Sequence, residues 1–330
     1  MAVIRGMMPV FELFQPASID AALALLDRHG RDVRVLGGGL DTMDALYDRV
    51  CQPSVLVDLG GIEPLKAIRP TKEGLEIGAM ATLTTVVRHP EIQAKFDLLR
   101  RAAEAVGSPQ IRNQGTIGGN VSQGTRCWYY RSGWTCYRAG GNICYADTPT
   151  AVNREHAIFG SDRCVAVNPS DVAPALVALD ATMVIRSIDG ERTVSAEDYF
   201  VGPSTDITRT TVLRRGDLLT AIRIPHTWAG ALFYFEKARD RQSWDFPLVN
   251  IASAMTVSGG RIEDIRLVAN AVAARPLRLH EVEEAMRGRL RDVAAATVAG
   301  ELAIRGASPL GHNGYKIPLL RNLVRRAVRG

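Results

Sequence analysis

Four of the chain's five cysteines, Cys127, Cys136, Cys144 and Cys164, fall within one 38-residue stretch, separated by eight, seven and nineteen residues. Thiolates are metal ligands, and four on a loosely spaced loop can converge on one centre. The spacing is neither the run of closely spaced cysteines of bacterial ferredoxins nor the paired C-x-x-C of a zinc ribbon. From the residues alone, an iron–sulfur centre, a structural zinc and a loop of reduced thiols all stay open. In a reducing compartment metal is favoured over disulfides. Cys51 stands apart, just ahead of a strand-like run, and reads as a small buried residue rather than a fifth ligand. His89, His156 and His226 are scattered and read as structural rather than catalytic.

Two other segments place glycines where a backbone must approach something closely: Val35-Leu36-Gly37-Gly38-Gly39-Leu40-Asp41-Thr42 and Gly115-Thr116-Ile117-Gly118-Gly119-Asn120. Consecutive glycines allow positive φ and gather amide N–H groups into an anion-binding concavity, to which a following helix N-terminus adds positive potential. Two such loops suit a pyrophosphate, with Thr116 and Asn120 adding side-chain hydrogen bonds. Each alone reads equally as a tight turn. Neither fits G-x-G-x-x-G or G-x-x-x-x-G-K-[ST], which argues against a Rossmann site and a P-loop NTPase.

The elements that must hold these segments are α/β in texture at first. Ser18 is placed to cap an amphipathic helix over IDAALALLDRH, followed by a strand over 33–36, the glycines, and a helix from about Asp41. Strands are predicted at 54–59 and 75–77 and a helix over 91–106. The segment from Asn120 to about Asp162 is rich in Gly, Arg, aromatics and cysteine, with little periodicity. Regular structure resumes at 172–179, with a strand at 183–186 followed by an Asp189-Gly190 turn, and a further strand at 218–224. Pro225 to Gly230 reads as a boundary. Beyond it come strands at 231–238, 251–257 and 265–268, then helices at 277–286, 292–304 and 318–328, an α+β module.

Length and composition fit this reading. With 330 residues, 46% apolar and 23% charged, the chain is long enough for two domains, and its composition excludes disorder. No apolar run reaches a membrane span, and the N-terminus lacks the apolar core of a signal peptide, so the expected location is the cytoplasm, or the periplasm by export with a partner. The net charge of +5 lies in the tail, where Leu302–Gly330 holds six basic and no acidic residues. Leu319, Leu320, Leu323 and Ala327 share one helical face there, which predicts a packed C-terminal helix rather than a nucleic-acid surface.

The string GSPQIRNQGTIGGN over 107–120 resembles the FAD-binding signature of the flavoprotein subunits of molybdenum hydroxylases, the xanthine dehydrogenase and carbon monoxide dehydrogenase family. Matches to LGGGLDTM, LEIGAMATL, NPSDVAPALVALDA, LLTAIRIP, Tyr234 to Lys237 and YKIPLLRNLVRRAV follow the same order, covering essentially the whole chain. The resemblance implies an α+β protein: a PCMH-type FAD-binding fold over 1–225, carrying a cysteine insertion at 121–168, then a C-terminal domain of the CO dehydrogenase flavoprotein type over 226–330. It implies that Val35, Leu36, Gly37, Gly38, Gly39, Leu40, Asp41 and Thr42 wrap the FAD pyrophosphate, although relatives usually carry Thr or Ser where Leu40 stands. Thr116, Gly118, Gly119 and Asn120 would hold the other side of the diphosphate, Asp171 would contact the cofactor, and Leu219 and Lys237 would line the flavin. A lysine there would stabilise the anionic reduced ring.

The insertion is similar to one in only part of this family, the 4-hydroxybenzoyl-CoA reductase β subunit and the aldehyde oxidoreductase FAD subunit, through Thr125-Arg-Cys-Trp-Tyr-Tyr, His156-Ala-Ile-Phe-Gly and Ser161-Asp-Arg-Cys164. There it carries a [4Fe–4S] cluster, which assigns Cys127, Cys136, Cys144 and Cys164 as ligands. Trp128, Tyr129, Tyr130 and Trp134 would shield such a cluster or form a small core of their own. The implied function is an electron-transfer subunit of a heterotrimeric oxidoreductase. Its partners would be a molybdopterin-binding large subunit, a [2Fe–2S] small subunit and an external electron acceptor. Aldehyde or heteroaromatic hydroxylation is expected of the complex, and reductive dehydroxylation of a hydroxybenzoyl thioester is the main variant. Two other classes stay open: a stand-alone flavin oxidase and a zinc-stabilised interaction module.

Overall fold

The computed structural model describes residues 8–160 and 162–330. Residues 1–7, part of the stretch read as lacking a signal peptide, and Ser161, part of a phrase in the insertion, lie outside the described residues. Three sheets make up an α+β architecture, and the core of the second extends onto Ala252, Ala254 and Val268 of the third.

The first sheet is parallel, with strands β1 (Glu12–Phe14), β2 (Val33–Leu36) and β3 (Val55–Asp58) in the order β1-β3-β2. The helix Ile19–His29 packs across it. Ser18 accepts the Ala21 amide at 3.2 Å, and Ala22, Leu23 and Leu26 share the face buried against Val55 and Val57. Parallel strands need crossovers. The one after β2 begins with the glycines and continues as the helix Leu40–Tyr47.

The second sheet is antiparallel, ordered β4-β5-β8-β6-β7 from β4 (Ile68–Pro70), β5 (Gly74–Gly78), β6 (Thr182–Ser187), β7 (Gly190–Ser195) and β8 (Leu218–Pro225). The helix Val172–Ala178, between the core of this sheet and the third sheet, is buried at every residue, as its run of alanine, valine and leucine requires. The single helix predicted over 91–106 is two, Pro90–Lys95 and Asp97–Glu104. Phe96 leaves helical geometry to bury its ring at 1% exposure, and the Asp97 carboxylate, paired with Arg100 and Arg101, starts the second helix.

The third sheet, antiparallel and ordered β12-β11-β10-β9, comprises β9 (Leu232–Ala238), β10 (Val249–Ser258), β11 (Arg261–Asn270) and β12 (Leu277–Arg278). Gly259 and Gly260, both at positive φ, turn β10 into β11 and match the twist of the hairpin. Helices Val293–Ala303 and Lys316–Arg329 cover the sheet, burying Leu320, Leu323, Val324 and Ala327. Leu319, expected on that face, is only half-buried. The helix predicted over 277–286 begins at His280, because Leu277 and Arg278 pair with Ala269 and Val268 instead. Tail cations make local pairs, Arg326 with Glu236 and Arg321 with Glu301. No helix among the described residues is long and apolar enough to cross a membrane.

Candidate functional site: a glycine-walled cavity beside a cysteine insertion

A cavity of about 490 Å³ is walled on one side by the turn after β2 and on the other by the second glycine segment, a size typical of small-molecule sites. Val35, Gly37, Gly38, Gly39, Leu40, Asp41, Thr42, Thr116, Gly118, Gly119, Asn120, Asp171 and Leu219 all line it. Residues some eighty positions apart in sequence thus enclose one cavity. Gly38 lies so close to the second segment that an added Cβ would sit 2.0 Å from the Gln114 carbonyl oxygen. Glycine at this point is a condition of contact between the two segments.

The segments differ in what they offer a ligand. Gly39, at φ +82°, is the N-cap of Leu40–Tyr47 and has no side chain to cap it. The first-turn amides have no intrahelical partners and belong to residues that line the cavity, a place suited to an anion. The second segment is not the open nest its glycines suggest. It is a helical turn, Ile117–Ser122, capped by Thr116, and its amides are spent internally. Ile117 donates to Ala81, Gly118 to Ala79, Asn120 to Thr116, and Gly119 to Thr116 Oγ1 at 3.1 Å. What it offers the cavity is the bare glycine surface with the Thr116 and Asn120 side chains, the latter held by Ser170 Oγ at 2.6 Å.

Asp171 enters the cavity from the start of the buried helix and is almost wholly enclosed. Burial pushes its carboxyl up to about 6, against the pull of Lys237 and Asn250. Lys237, expected beside the flavin, is not in the lining. Its three N–H bonds go to Asp171 Oδ2 (2.6 Å), the Asp245 carbonyl (2.7 Å) and the Ala105 carbonyl (3.0 Å), so it reaches the cavity only through Asp171. Leu36 also lies off the lining. Residues not anticipated from the sequence complete the wall, among them Met80, Val106, Arg126, Trp244 and Phe246. Trp244 and Phe246, aromatic residues in a charged stretch after a strand-like run, were a usable signal.

The insertion is pinned at both ends. Asp41 accepts the Gly124 amide (2.9 Å) and pairs with Arg131 (2.5 Å) and Arg126 (3.1 Å). Burial raises this carboxyl, but the two guanidinium groups and the amide outweigh it and hold it below the usual range. At the far end Lys316, fully buried, donates to the Glu155 and Ala271 carbonyls, and Asn313 bonds the carbonyls of His156 and Ala157.

Cys127, Cys136, Cys144 and Cys164 line one small cavity, with Tyr129, Tyr130 and Tyr145 around it and no carboxylate in the lining. Burial pushes the Cys127 thiol up to about 11 against the Tyr130 and Tyr129 amides, and raises that of Cys144 against the amides of Val165, Ala146 and Asp147. His156 Nε2 lies 3.3 Å from Cys127 Sγ. Trp134 packs edge-on against Tyr129 and Tyr145, whereas Trp128 is 59% exposed and shields nothing. All five cysteines are unpaired, and Cys51 lies off this cavity beside Arg34. Four soft sulfurs fit an iron–sulfur or zinc centre in kind. As packed, no group of three or more Cys, His, Asp or Glu among the described residues is ready to hold a metal ion.

Comparison with known proteins places this geometry. Residues 9–227 match the FAD binding domain in molybdopterin dehydrogenase, and residues 233–330 match the CO dehydrogenase flavoprotein C-terminal domain. The chain is 30% identical over 312 residues to the aldehyde oxidoreductase FAD-binding subunit PaoB of Escherichia coli (strain K12), covering 93% of this chain and 94% of that one. It is 28% identical over 325 residues to the carbon monoxide dehydrogenase medium chain of Hydrogenophaga pseudoflava, covering 97% and 96%. The solved structure of reconstituted CO dehydrogenase from Oligotropha carboxidovorans contains a chain similar over 98% of both lengths, with a TM-score of 0.78 at 28% identity.

Proposed function

The chain belongs to the family of FAD-binding domains of molybdopterin dehydrogenases, and we propose that it is the flavin- and iron–sulfur-carrying subunit of a three-subunit molybdenum hydroxylase. On this reading residues 1–225 hold the flavin, 121–168 are the insertion, and 226–330 form the C-terminal domain. FAD supplies hydride and single-electron exchange when bound. The chain's part is to seat it, exclude water and set the charge around it. Gly37–Gly39 and the first-turn amides of Leu40–Tyr47 would take the diphosphate, with Thr116 and Asn120 opposite. Asp171 would accept a hydrogen bond from the cofactor, held in place by Lys237. A single observation carries this reading: two distant glycine segments, in backbone contact, wall one cavity of about 490 Å³.

The partners on this reading are a molybdopterin-binding large subunit, where substrate chemistry occurs, and a [2Fe–2S] small subunit that exchanges electrons with the flavin. An external acceptor takes them up. Names such as "medium chain" and "FAD-binding subunit" among the relatives support a place within a larger assembly. Oxidation of an aldehyde or a heteroaromatic ring is the favoured reaction of the complex, and electron flow in the reductive direction is the variant.

The four insertion cysteines would hold a [4Fe–4S] cluster, a reading supported by their shared cavity and by amides donating to two of the sulfurs. The purified complex should release one FAD per chain and contain about four iron and four sulfide per chain beyond those of the [2Fe–2S] subunit. Cys136→Ser or Cys144→Ser should remove those four irons and leave FAD bound. One zinc per chain without that iron would replace the cluster by a structural zinc and leave the flavin reading intact, whereas a complex free of flavin would sink the flavin reading.

A further inference from the structure

Arg126 is the residue immediately before Cys127, yet its guanidinium sits in the wall of the flavin cavity. It lies over the Phe246 ring, with Cζ 5.0 Å from the centroid, and beside the first turn of Leu40–Tyr47. Its polar contacts are loose. Nη2 is 3.1 Å from Asp41 and 3.2 Å from Gln123, and Nη1 is 3.4 Å from Asp44. A charge-assisted bond of this kind normally closes to about 2.7–2.9 Å. Asp41 is shared, since Arg131 at 2.5 Å and the Gly124 amide also bind it. Arg126 Nε is buried with no partner.

The other cation in the wall, Arg34, sits beside the Cys51 thiol, and most of the acidic groups there have close partners of their own. Asp171 has Lys237, Asp217 has Arg192 at 2.5 Å, and Asp245 accepts the amides of Asp240 and Arg241. Arg126, next to the uncapped helix start, therefore holds its Nη groups in long contacts only, in a planar fork whose geometry suits phosphate.

We propose that Arg126 is a ligand of the cofactor diphosphate, reaching from the cysteine insertion to the anion site formed by Gly37–Gly39 and the helix behind them. The proposal rests on the flavin reading above. It also assigns the insertion a second task. A contact made by amides alone in the first glycine segment gains a side-chain cation from the insertion, so seating of the cofactor and placement of Cys127 become linked through one residue.

The test is FAD binding to the full chain after removal of flavin, with riboflavin, which lacks phosphate, as the reference ligand. Arg126→Gln should weaken FAD about 10- to 150-fold, the loss of a hydrogen-bonded charge, and leave riboflavin affinity unchanged. Arg126→Lys should recover part of the loss. FAD affinity of the wild-type chain should fall with added salt, and the slope should flatten in Arg126→Gln. FAD affinity within twofold of wild type would overturn the proposal, as would an equal loss for riboflavin, which would place Arg126 at the ring or in the fold. If Arg126→Gln fails to fold, the salt dependence of the wild type and the Arg126→Lys affinity decide: a salt-independent affinity with no loss on Lys substitution overturns it. A wild-type chain that binds neither ligand would refute the flavin reading itself.

Discussion

Replacing Lys237 by methionine separates two roles for this residue. The Lys237 and Asp171 side chains are 3% and 4% exposed, so the ammonium is the main compensation for a carboxylate with almost no access to water. Removing one partner of a buried pair costs about 3–5 kcal/mol, and the Ala105 and Asp245 carbonyls lose a donor as well. For a unit of roughly 200 residues this corresponds to a fall in Tm of about 6–20 °C. The pH dependence has a definite sign. In the wild type burial already raises Asp171 to about 6, above its unfolded value. Without the cation it rises further, and the folded state then binds the proton more tightly than the unfolded state. Stability is therefore recovered as pH falls through the folded pKa, and the deficit of Lys237→Met against wild type shrinks as pH falls from about 8 to about 6 and levels off below it, where both folded states hold the proton.

The assay is thermal or denaturant unfolding of the flavin-free chain across that pH range, with Asp171→Asn/Lys237→Met as the second variant. A neutral amide needs no cation, so the double variant should regain about 2 kcal/mol or more of the loss. The reasoning is refuted if Lys237→Met costs under about 1 kcal/mol and the double variant regains nothing. A lysine that instead served the flavin directly would leave the flavin-free Tm unchanged and lower only FAD affinity and reduction potential.

Other predictions follow from single contacts. Gly38→Ala places a Cβ 2.0 Å from the Gln114 carbonyl and should force the two cavity walls apart, so that the protein purifies without flavin absorbance. Gly39→Ala meets only side-chain carbons at 3.6 Å, and its positive φ should cost about 1–2 kcal/mol with flavin retained. Gly118→Ala should lower the Tm of the flavin-free chain, because its Cβ meets the Ala79 carbonyl at 2.7 Å rather than the cavity. Burial lowers Lys316 to about 7, below its unfolded value, so the unfolded state binds the proton more tightly between pH 7 and 10. Wild-type stability relative to Lys316→Met should therefore rise with pH across that window by a few kcal/mol at most, roughly; a flat difference would mean that the lysine is solvated.

Local features carried far in the sequence. Ser18 marks a helix start because a capping hydroxyl acts within three residues, and the strand pattern of 183–186 is a property of that segment alone. Phe96 broke a predicted helix because its burial belongs to the tertiary core, not to the periodicity of 91–106. The same division runs through the site. Two glycine segments identify a place where backbone must approach backbone, but the destination of each amide depends on neighbours far away in sequence. The Ala79 and Ala81 carbonyls take the amides of Ile117 and Gly118 in the second segment, so an anion would have to find its backbone donors in the first. Lys237 was legible as a charged residue on a strand, whereas its three acceptors come from three separate segments.

Asp41 shows why this matters for function. In sequence it is one acidic residue at the start of a helix, where a carboxylate suits the helix dipole. In the fold it accepts from residues 124, 126 and 131, more than eighty positions away, and so ties the cysteine insertion to the helix that begins at the first glycine segment. The other end of the insertion is held by Asn313 and Lys316 of the C-terminal module. A segment anchored at both ends transmits displacement rather than absorbing it, so a change at the cysteines reaches the cavity through Arg126 and Asp41 first. Asp41→Asn weakens that link while leaving the four cysteines and the glycines untouched. It should therefore speed thiol alkylation and FAD release together, and an effect on only one of the two would mean that the ends of the insertion move independently.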